Sequence, residues 1–183
     1  MSTTTTTTLS TGTWTIDPAH TEIGFSVRHL MSKVRGSFKQ FEGGVTTGEN
    51  LADTMVTVSV DLSSIDTGNA DRDNHLRSGD FFEVESTPTM TFASTDVLEK
   101  GEDRVVLVGD LTIKGVTRRI ELDTELFDEG ADPWGGTRFG AEATTEISRK
   151  DFGIDFNIPV QGDRVMIGDK VTIVITAQAV LQA

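Results

Sequence analysis

The chain has 183 residues, the length of one large domain, and hydrophobic residues make up 36% of it. Its 18 glycines and 4 prolines are typical of a globular protein that is rich in turns. The formal net charge of −13 disfavours a nucleic-acid partner and tight binding to an anionic membrane surface. The lack of cysteine excludes disulfides, thiol nucleophiles and cysteine-based metal sites.

The chain begins with a polar, threonine-rich segment that contains neither a basic stretch nor an apolar one. We therefore predict a flexible tail over residues 1–12 and a single domain over residues 13–183. The segment does not resemble a secretory signal, and no later apolar run approaches the roughly 18 residues that span a bilayer. These features favour a cytoplasmic location, with at most transient membrane contact.

From Trp14 onwards, apolar and polar residues alternate with a period of two, which places one set of side chains on each face of a strand. The turn Ile113-Lys-Gly-Val116 joins two such runs. Long antiparallel strands that must hide their edges tend to close on themselves, so we predict an all-β barrel of about eight strands rather than a sandwich. The alternating runs are 23–27, 56–60, 105–111, 120–126, 139–147 and 171–177.

The segment 71–82 (DRDNHLRSGDFF) interrupts the alternation and predicts a short helix with Asn69 as its N-cap. A catalytic interpretation makes His75 a general base oriented by Asp73, but no nucleophile motif accompanies this pair. A structural interpretation makes the segment a lid, in which Leu76 and Phe81 close part of the barrel. We favour the lid, and we expect one or two short helices in total and no catalytic residue.

The histidines His20, His29 and His75 form a second candidate group, because three imidazoles suffice to bind zinc. Their spacing matches no local metal-binding motif. We therefore expect neither a metal nor a cofactor.

Residues 28–39 carry four formal positive charges and no acid, inside an otherwise acidic chain. In a functional interpretation, this segment holds a phosphate or another head group at the barrel mouth, while Leu30 and Met31 touch a ligand or a bilayer. In the alternative interpretation, it is a solvated strand face beside a short turn. The sequence leaves both open.

The side chains that face inwards decide whether the barrel is hollow. Valine, isoleucine, alanine and threonine, with phenylalanine at intervals, line a volume more readily than they fill one. A hollow interior of this kind favours a long apolar ligand, because each buried methylene is worth about 0.8 kcal/mol. A solid core stays open as the alternative.

Eight separated motifs occur in order between residue 14 and the C-terminal part of the chain. They are 14–29 (WTIDPAHTEIGFSVRH), 36–38 (GSF), 41–43 (FEG), 64–68 (SIDTG), 72–76 (RDNHL) followed by Phe81 and Phe82, Pro88 with Phe92, 109–117 (GDLTIKGVT) and 149–153 (RKDFG). Together these motifs resemble the YceI-like polyisoprenoid-binding family. Many relatives carry an export signal, which we do not expect here, so a periplasmic carrier role is disfavoured.

The resemblance implies a lipocalin-like antiparallel barrel with an elongated apolar pocket, and often a homodimer. It implies non-catalytic binding, transport or storage of a long-chain isoprenoid lipid of the quinone or polyprenyl type, or of a related amphiphile. The alternatives are an enzyme or stress-response protein that acts on such lipids, and an interaction module with a solid core. The residues that we predict to contact the ligand are Phe25, Val27, Leu30, Met31, Phe38, Val56, Val58, Val60, Leu76, Phe81, Phe92, Leu107, Leu122, Phe139 and Ile173.

Overall fold

Eleven strand segments and one α-helix form the regular structure of residues 9–160 and 166–182, the part of the chain that the computed structural model describes. Short 3-10 turns lie at Pro18–His20, Leu51–Asp53, Leu62–Ser64 and Arg149–Phe152. The strands and the helix are β1 (Gly12–Ile16), β2 (Glu22–His29), β3 (Ser32–Phe38), β4 (Phe41–Thr47), β5 (Met55–Asp61), β6 (Ile65–Asp66), α1 (Ala70–Arg77), β7 (Thr89–Gly101), β8 (Arg104–Ile113), β9 (Val116–Ala131), β10 (Thr137–Ser148) and β11 (Ile167–Leu181).

The sheet closes on itself, because β1 pairs with β4 on one side and with β11 on the other. The closed ring runs β1-β4-β5-β7-β8-β9-β10-β11 and contains eight antiparallel strands. Each strand segment of this ring is paired on both sides, which protects the edges along which chains could aggregate. The predicted eight-stranded antiparallel barrel is therefore confirmed.

Three of the eight strands are bent, and this explains why eleven segments form eight strands. β2 continues β1 beyond the Pro18–His20 turn and pairs with the same neighbour, β11. In the same way β3 and β4 are two parts of one strand, and β5 continues into β6 beyond the Leu62–Ser64 turn. The proline at the first bend has no N–H to give to a sheet.

The barrel has two different ends. At one end, called here the tryptophan end, lie the first residues of β1, the β7–β8 turn and the last residues of β11. At the other, called here the helix end, lie the β2–β3 hairpin and α1. Among the described strands, β6 pairs with β3 alone, so a gap separates it from β7. In the sequence, α1 and the following residues 78–88 lie between β6 and β7.

The helix begins where the sequence predicts, because the Asn69 side chain accepts a hydrogen bond of 3.0 Å from the backbone N–H of Arg72. The helix has 8 residues. No helix in residues 9–160 and 166–182 is long and apolar enough to cross a membrane.

The organised structure begins slightly before the predicted boundary at residue 13. Leu9 is 8% exposed and packs in the core at the tryptophan end. The Ser10 N–H and hydroxyl both donate to the Glu129 carboxylate, the hydroxyl at 2.8 Å. Thr47 Oγ1 accepts from Trp14 Nε1 at 2.9 Å and donates to the Ser10 carbonyl at 2.6 Å. Residues 1–8, the rest of the predicted tail, lie outside the described residues.

The predicted tight turn between β8 and β9 is also present. Ile113 pairs with Val116, and both residues between them have positive φ, 54° at Lys114 and 77° at Gly115. This backbone conformation matches the twist of the two strands.

Candidate functional site

Two apolar cavities adjoin each other inside the barrel. The first has a volume of about 180 Å³ and lies towards the tryptophan end, and the second has a volume of about 230 Å³ and lies at the helix end. Ile23, Met90 and Ile173 line both cavities. The two cavities are therefore neighbours along the barrel, with these three side chains at the boundary between them.

A ligand in the first cavity needs no polar group to match the wall. Its wall contains aliphatic side chains, Phe41, Phe92 and Phe139, and its polar side chains are all threonines. The hydroxyl of Thr124 is occupied, since it donates to the carbonyl oxygen of Leu122 at 3.0 Å. Leu9 closes part of the wall near the tryptophan end. A group buried here would be stabilised by apolar contact alone.

The second cavity is rich in aromatic rings and has a few polar groups. The rings of Phe81 and Phe156 lie 5.2 Å apart, and the His75 ring packs edge-on against each of them, at 5.0 and 4.9 Å. Its wall also contains His29, Arg72 and Arg149. The polar side chains of the interior other than threonine are thus found at the helix end.

Most of the predicted contact residues lie on these walls. The period of two predicted which side chains point inwards, and the barrel brings the separate strands together around the cavities. In the first cavity are Val56, Val58, Val60, Phe92, Leu107, Leu122, Phe139 and Ile173. In the second are Phe25, Val27, Phe38, Leu76, Phe81 and, again, Ile173.

Leu30 and Met31 are different, because they line neither cavity. They form the two-residue turn between the paired residues His29 and Ser32, at the tip of the β2–β3 hairpin. Leu30 is 50% exposed and Met31 is 97% exposed. A contact between these two side chains and a ligand inside the barrel is therefore not supported by their positions, since the turn carries them beyond the end of the sheet.

The catalytic interpretation of segment 71–82 is wrong about the partner of His75. His75 Nε2 lies 2.8 Å from Asp80 Oδ2. Asp73 is buried and accepts hydrogen bonds from the backbone N–H and the hydroxyl of Thr67, at 3.0 and 2.5 Å. Among the described residues, no serine or threonine hydroxyl is hydrogen-bonded to the His75 ring.

The polar side chains of α1 instead anchor the helix to the stretch between β5 and β6 and just beyond it. Arg72 Nε donates to Thr67 Oγ1 at 2.7 Å, and its Nη2 donates to the Thr67 carbonyl at 2.8 Å. Arg77 Nε donates to the Ser63 carbonyl at 2.9 Å. With these contacts on one side, and Leu76 and Phe81 on the second cavity, the geometry is that of a lid.

Arg149 organises the other side of the helix end. It is 5% exposed, and Nη1 donates to the carbonyl oxygens of Ile154 and Phe156 at 3.0 and 2.8 Å. Its Nε donates to the carbonyl of Gly168 at 2.9 Å. Burial lowers the pKa of Arg149, and the carboxylates of Asp169 and Asp155 oppose that effect. The guanidinium is thus a cross-link between backbone segments rather than a ligand for an incoming group.

The three histidines do not form a metal site, although His29 and His75 both line the second cavity. His20 Nδ1 lies 2.7 Å from Asp17 Oδ2 at the bend between β1 and β2, His29 lies in the hairpin and His75 lies in α1. Within residues 9–160 and 166–182, no group of three or more histidine, aspartate or glutamate side chains could hold a metal ion.

Sequence reasoning missed several wall residues. Met90 lies in β7 beside the predicted Phe92, and the same alternation would have found it. Ile154 and Phe156 follow a 3-10 turn and belong to no periodic run. Leu9 was assigned to the tail because its neighbours are polar.

Comparison with known proteins gives consistent results. A family model described as the YceI-like domain matches residues 14–179, which confirms the resemblance drawn from the motifs. A UPF0312 protein of Photorhabdus laumondii is 47% identical over 135 residues, which cover 73% of this chain and 70% of that protein. BcnA of Burkholderia cenocepacia superimposes with a TM-score of 0.79 at 20% identity, covering 89% of this chain and 98% of BcnA. A polyisoprenoid-binding domain from Saccharophagus degradans gives 0.72 at 16% identity, with 92% and 98% covered. These two structures show the shared fold.

Proposed function

Because the chain belongs to the YceI-like domain family, we propose that it binds a long-chain isoprenoid lipid of the quinone or polyprenyl type and carries or stores this lipid without modifying it. The observation that carries the proposal is the pair of neighbouring apolar cavities inside the barrel, of which the first offers no polar partner. The polyisoprenoid-binding domain of Saccharophagus degradans, which has the same fold, supports this choice of ligand.

The energetics of such binding are favourable. Burying about ten methylene equivalents contributes roughly 8 kcal/mol before the costs of association and ordering are subtracted. Micromolar affinity corresponds to about 8 kcal/mol, so a longer chain reaches it without any polar contact. Because the apolar wall does not recognise a head group, discrimination among long amphiphiles depends on chain length and shape.

Two observations favour a carrier over the alternative functions. An interaction module with a solid core would fill the space that the two cavities occupy. An enzyme acting on the lipid would need a reactive group aimed at the bound chain. Arg149 and His75 at the second cavity are instead engaged in structural contacts, with backbone carbonyl oxygens and with Asp80 respectively.

The test is a substitution that fills the first cavity. Val58 lines this cavity near the middle of β5, and a tryptophan there occupies the space that a lipid chain would need. We expect Val58→Trp to weaken binding of a fluorescent long-chain isoprenoid by at least about tenfold, because several methylenes lose their burial. Fluorescence titration of monodisperse protein measures the change.

Thr57→Trp is the matched control. Thr57 is adjacent in β5 but exposed, since successive side chains of a strand point to opposite faces. It should bind the lipid as the unmodified protein does, and both variants should retain the far-UV spectrum of a β-protein. Undiminished binding by a folded Val58→Trp protein would overturn the proposal that the first cavity holds the ligand.

A further inference from the structure

The helix end carries an exposed apolar surface beside the second cavity. The backbone N–H of Leu30 donates to the Met166 carbonyl at 2.8 Å, and the N–H of Met166 donates to the Ile158 carbonyl at 3.0 Å. These bonds hold the tip of the β2–β3 hairpin next to Ile158, which is 43% exposed. We call Leu30, Met31 and Ile158 the apolar rim. Ile158 and Met166 also line the second cavity, so the rim lies directly beside its wall.

The backbone conformation at the tip of the hairpin is unfavourable for the leucine that lies there. Leu30 has φ of 53°, a left-handed conformation that favours glycine or asparagine over a branched side chain. The Leu30 side chain is only half-buried in return, and Met31 is 97% exposed. Two large apolar residues at an exposed turn therefore contribute little to the stability of the barrel.

The outer face of the same hairpin is basic. Val27 and Val34 line the second cavity, so their neighbours Arg28, Lys33 and Arg35 point outwards. Arg28 and Lys33 are cross-strand partners, and like charges placed directly opposite each other are destabilising. Within the described part of the chain, none of these three cations forms an ion pair.

The tryptophan end shows the contrast. There Lys100 Nζ lies 3.5 Å from Asp123 Oδ1, and Arg104 Nη2 lies 3.7 Å from Glu125 Oε2. In a protein with a formal net charge of −13, cations paired with acids are the expected arrangement. The hairpin thus combines exposed apolar side chains with cations that have no acidic partner among residues 9–160 and 166–182.

We propose that the apolar rim and the basic face of the hairpin dock the helix end on an anionic lipid bilayer. The cations lie near the lipid phosphates, and Leu30 and Met31 enter the interface, the arrangement by which peripheral proteins bind such surfaces. The second cavity then faces the bilayer, so a lipid passes between them with little exposure to water. This last step rests on the proposed function, whereas docking itself does not.

The test is flotation of the full-length protein with phosphatidylcholine vesicles that contain or lack phosphatidylglycerol. The unmodified protein should float with the anionic vesicles, and added salt should release it because screening acts on exposed charge. Lys33→Glu with Arg35→Glu should lower the bound fraction on anionic vesicles by about tenfold or more. Lys100→Glu with Arg104→Glu makes the same change in charge at the tryptophan end and should retain most of the binding.

A second pair of variants tests the contribution of the apolar side chains to vesicle binding. Met31→Ser should weaken flotation several-fold, whereas Met55→Ser, at a methionine that is 60% exposed on β5, should not. All four variants should bind a short-chain quinone in vesicle-free titrations as the unmodified protein does, which separates failed docking from a failed ligand cavity. Equal flotation of the unmodified protein with both kinds of vesicle would overturn the proposal. So would full binding of anionic vesicles by Lys33→Glu with Arg35→Glu.

Discussion

Arg138 Nη1 lies 2.7 Å from Asp17 Oδ2 and joins the start of β10 to the bend between β1 and β2. His20 Nδ1 approaches the same oxygen at 2.7 Å, and the Arg138 guanidinium lies 5.3 Å from the centre of the Trp134 ring. The hydrogen bonds from Arg138 and His20 lower the pKa of Asp17 from 3.8 to about 2. The ion pair therefore fastens the barrel wall where one of its strands is broken.

This pKa sets the pH range in which the ion pair stabilises the fold. A carboxylate with a lowered pKa in the folded state stabilises that state above its unfolded pKa, and the contribution is lost as the pH falls from about 4 towards 2. We expect Asp17→Asn to lower the free energy of unfolding by about 1 kcal/mol at pH 6, since solvent screening reduces the value of a partly exposed pair. The difference should shrink towards zero near pH 2.

Chemical denaturation across this pH range measures the effect. Asp96→Asn is the control, because Asp96 is exposed in β7 and its side chain has no hydrogen bond or ion pair among the described residues. A constant difference between Asp17→Asn and the unmodified protein from pH 6 to pH 2 would contradict the assignment.

Arg149 should be among the most sensitive polar positions in the fold. Replacing it by methionine leaves the carbonyl oxygens of Ile154, Phe156 and Gly168 without their hydrogen-bond donor. Each buried carbonyl without a donor lowers the free energy of unfolding by about 1–3 kcal/mol. We expect Arg149→Met to lose about 3 kcal/mol or more of unfolding free energy. Arg118→Met, at an exposed arginine that donates to the Asp151 carbonyl, should lose less than about 1 kcal/mol. A loss at position 149 as small as that at position 118 would show that the cross-link is dispensable.

Met90 should control the length of chain that the barrel accepts. Its buried side chain lines both cavities, and an indole there would occupy the space that a chain spanning the two needs. Met90→Trp should weaken binding of a long polyprenyl chain by at least about tenfold, and binding of a short prenyl chain that fits one cavity by less than about threefold. Met90→Leu, which nearly conserves volume, is the control. Equal effects on both chain lengths would mean that the ligand does not pass the junction.

The closed barrel and most of its inner wall were predictable, because the alternation of apolar and polar residues along a strand shows which face of the strand is buried. The alternation at Val56, Val58 and Val60 suffices to place these side chains inside the first cavity. The helix start was predictable for a similar reason, since the capping side chain of Asn69 acts within its own turn.

The contacts that were not predictable join segments far apart in the chain or lie outside periodic runs. Nothing near His75 indicates that Asp80, rather than Asp73, is its partner, because the choice depends on how the chain turns after the helix. Leu30 and Met31 continue an apolar-rich segment, but the two-residue turn removes them from the cavity. The cytoplasmic location, the homodimer and the identity of the lipid stay predictions.

The central claim is that the apolar interior holds a long isoprenoid lipid, and mass spectrometry tests it most directly. The protein should be purified gently from its native host, without detergent, and the organic extract compared with that of Val58→Trp purified in the same way. We predict a long-chain isoprenoid in near-stoichiometric amount in the first extract and its depletion in the second. An empty native protein that also shows no saturable binding of quinones, polyprenols or fatty acids would contradict the claim.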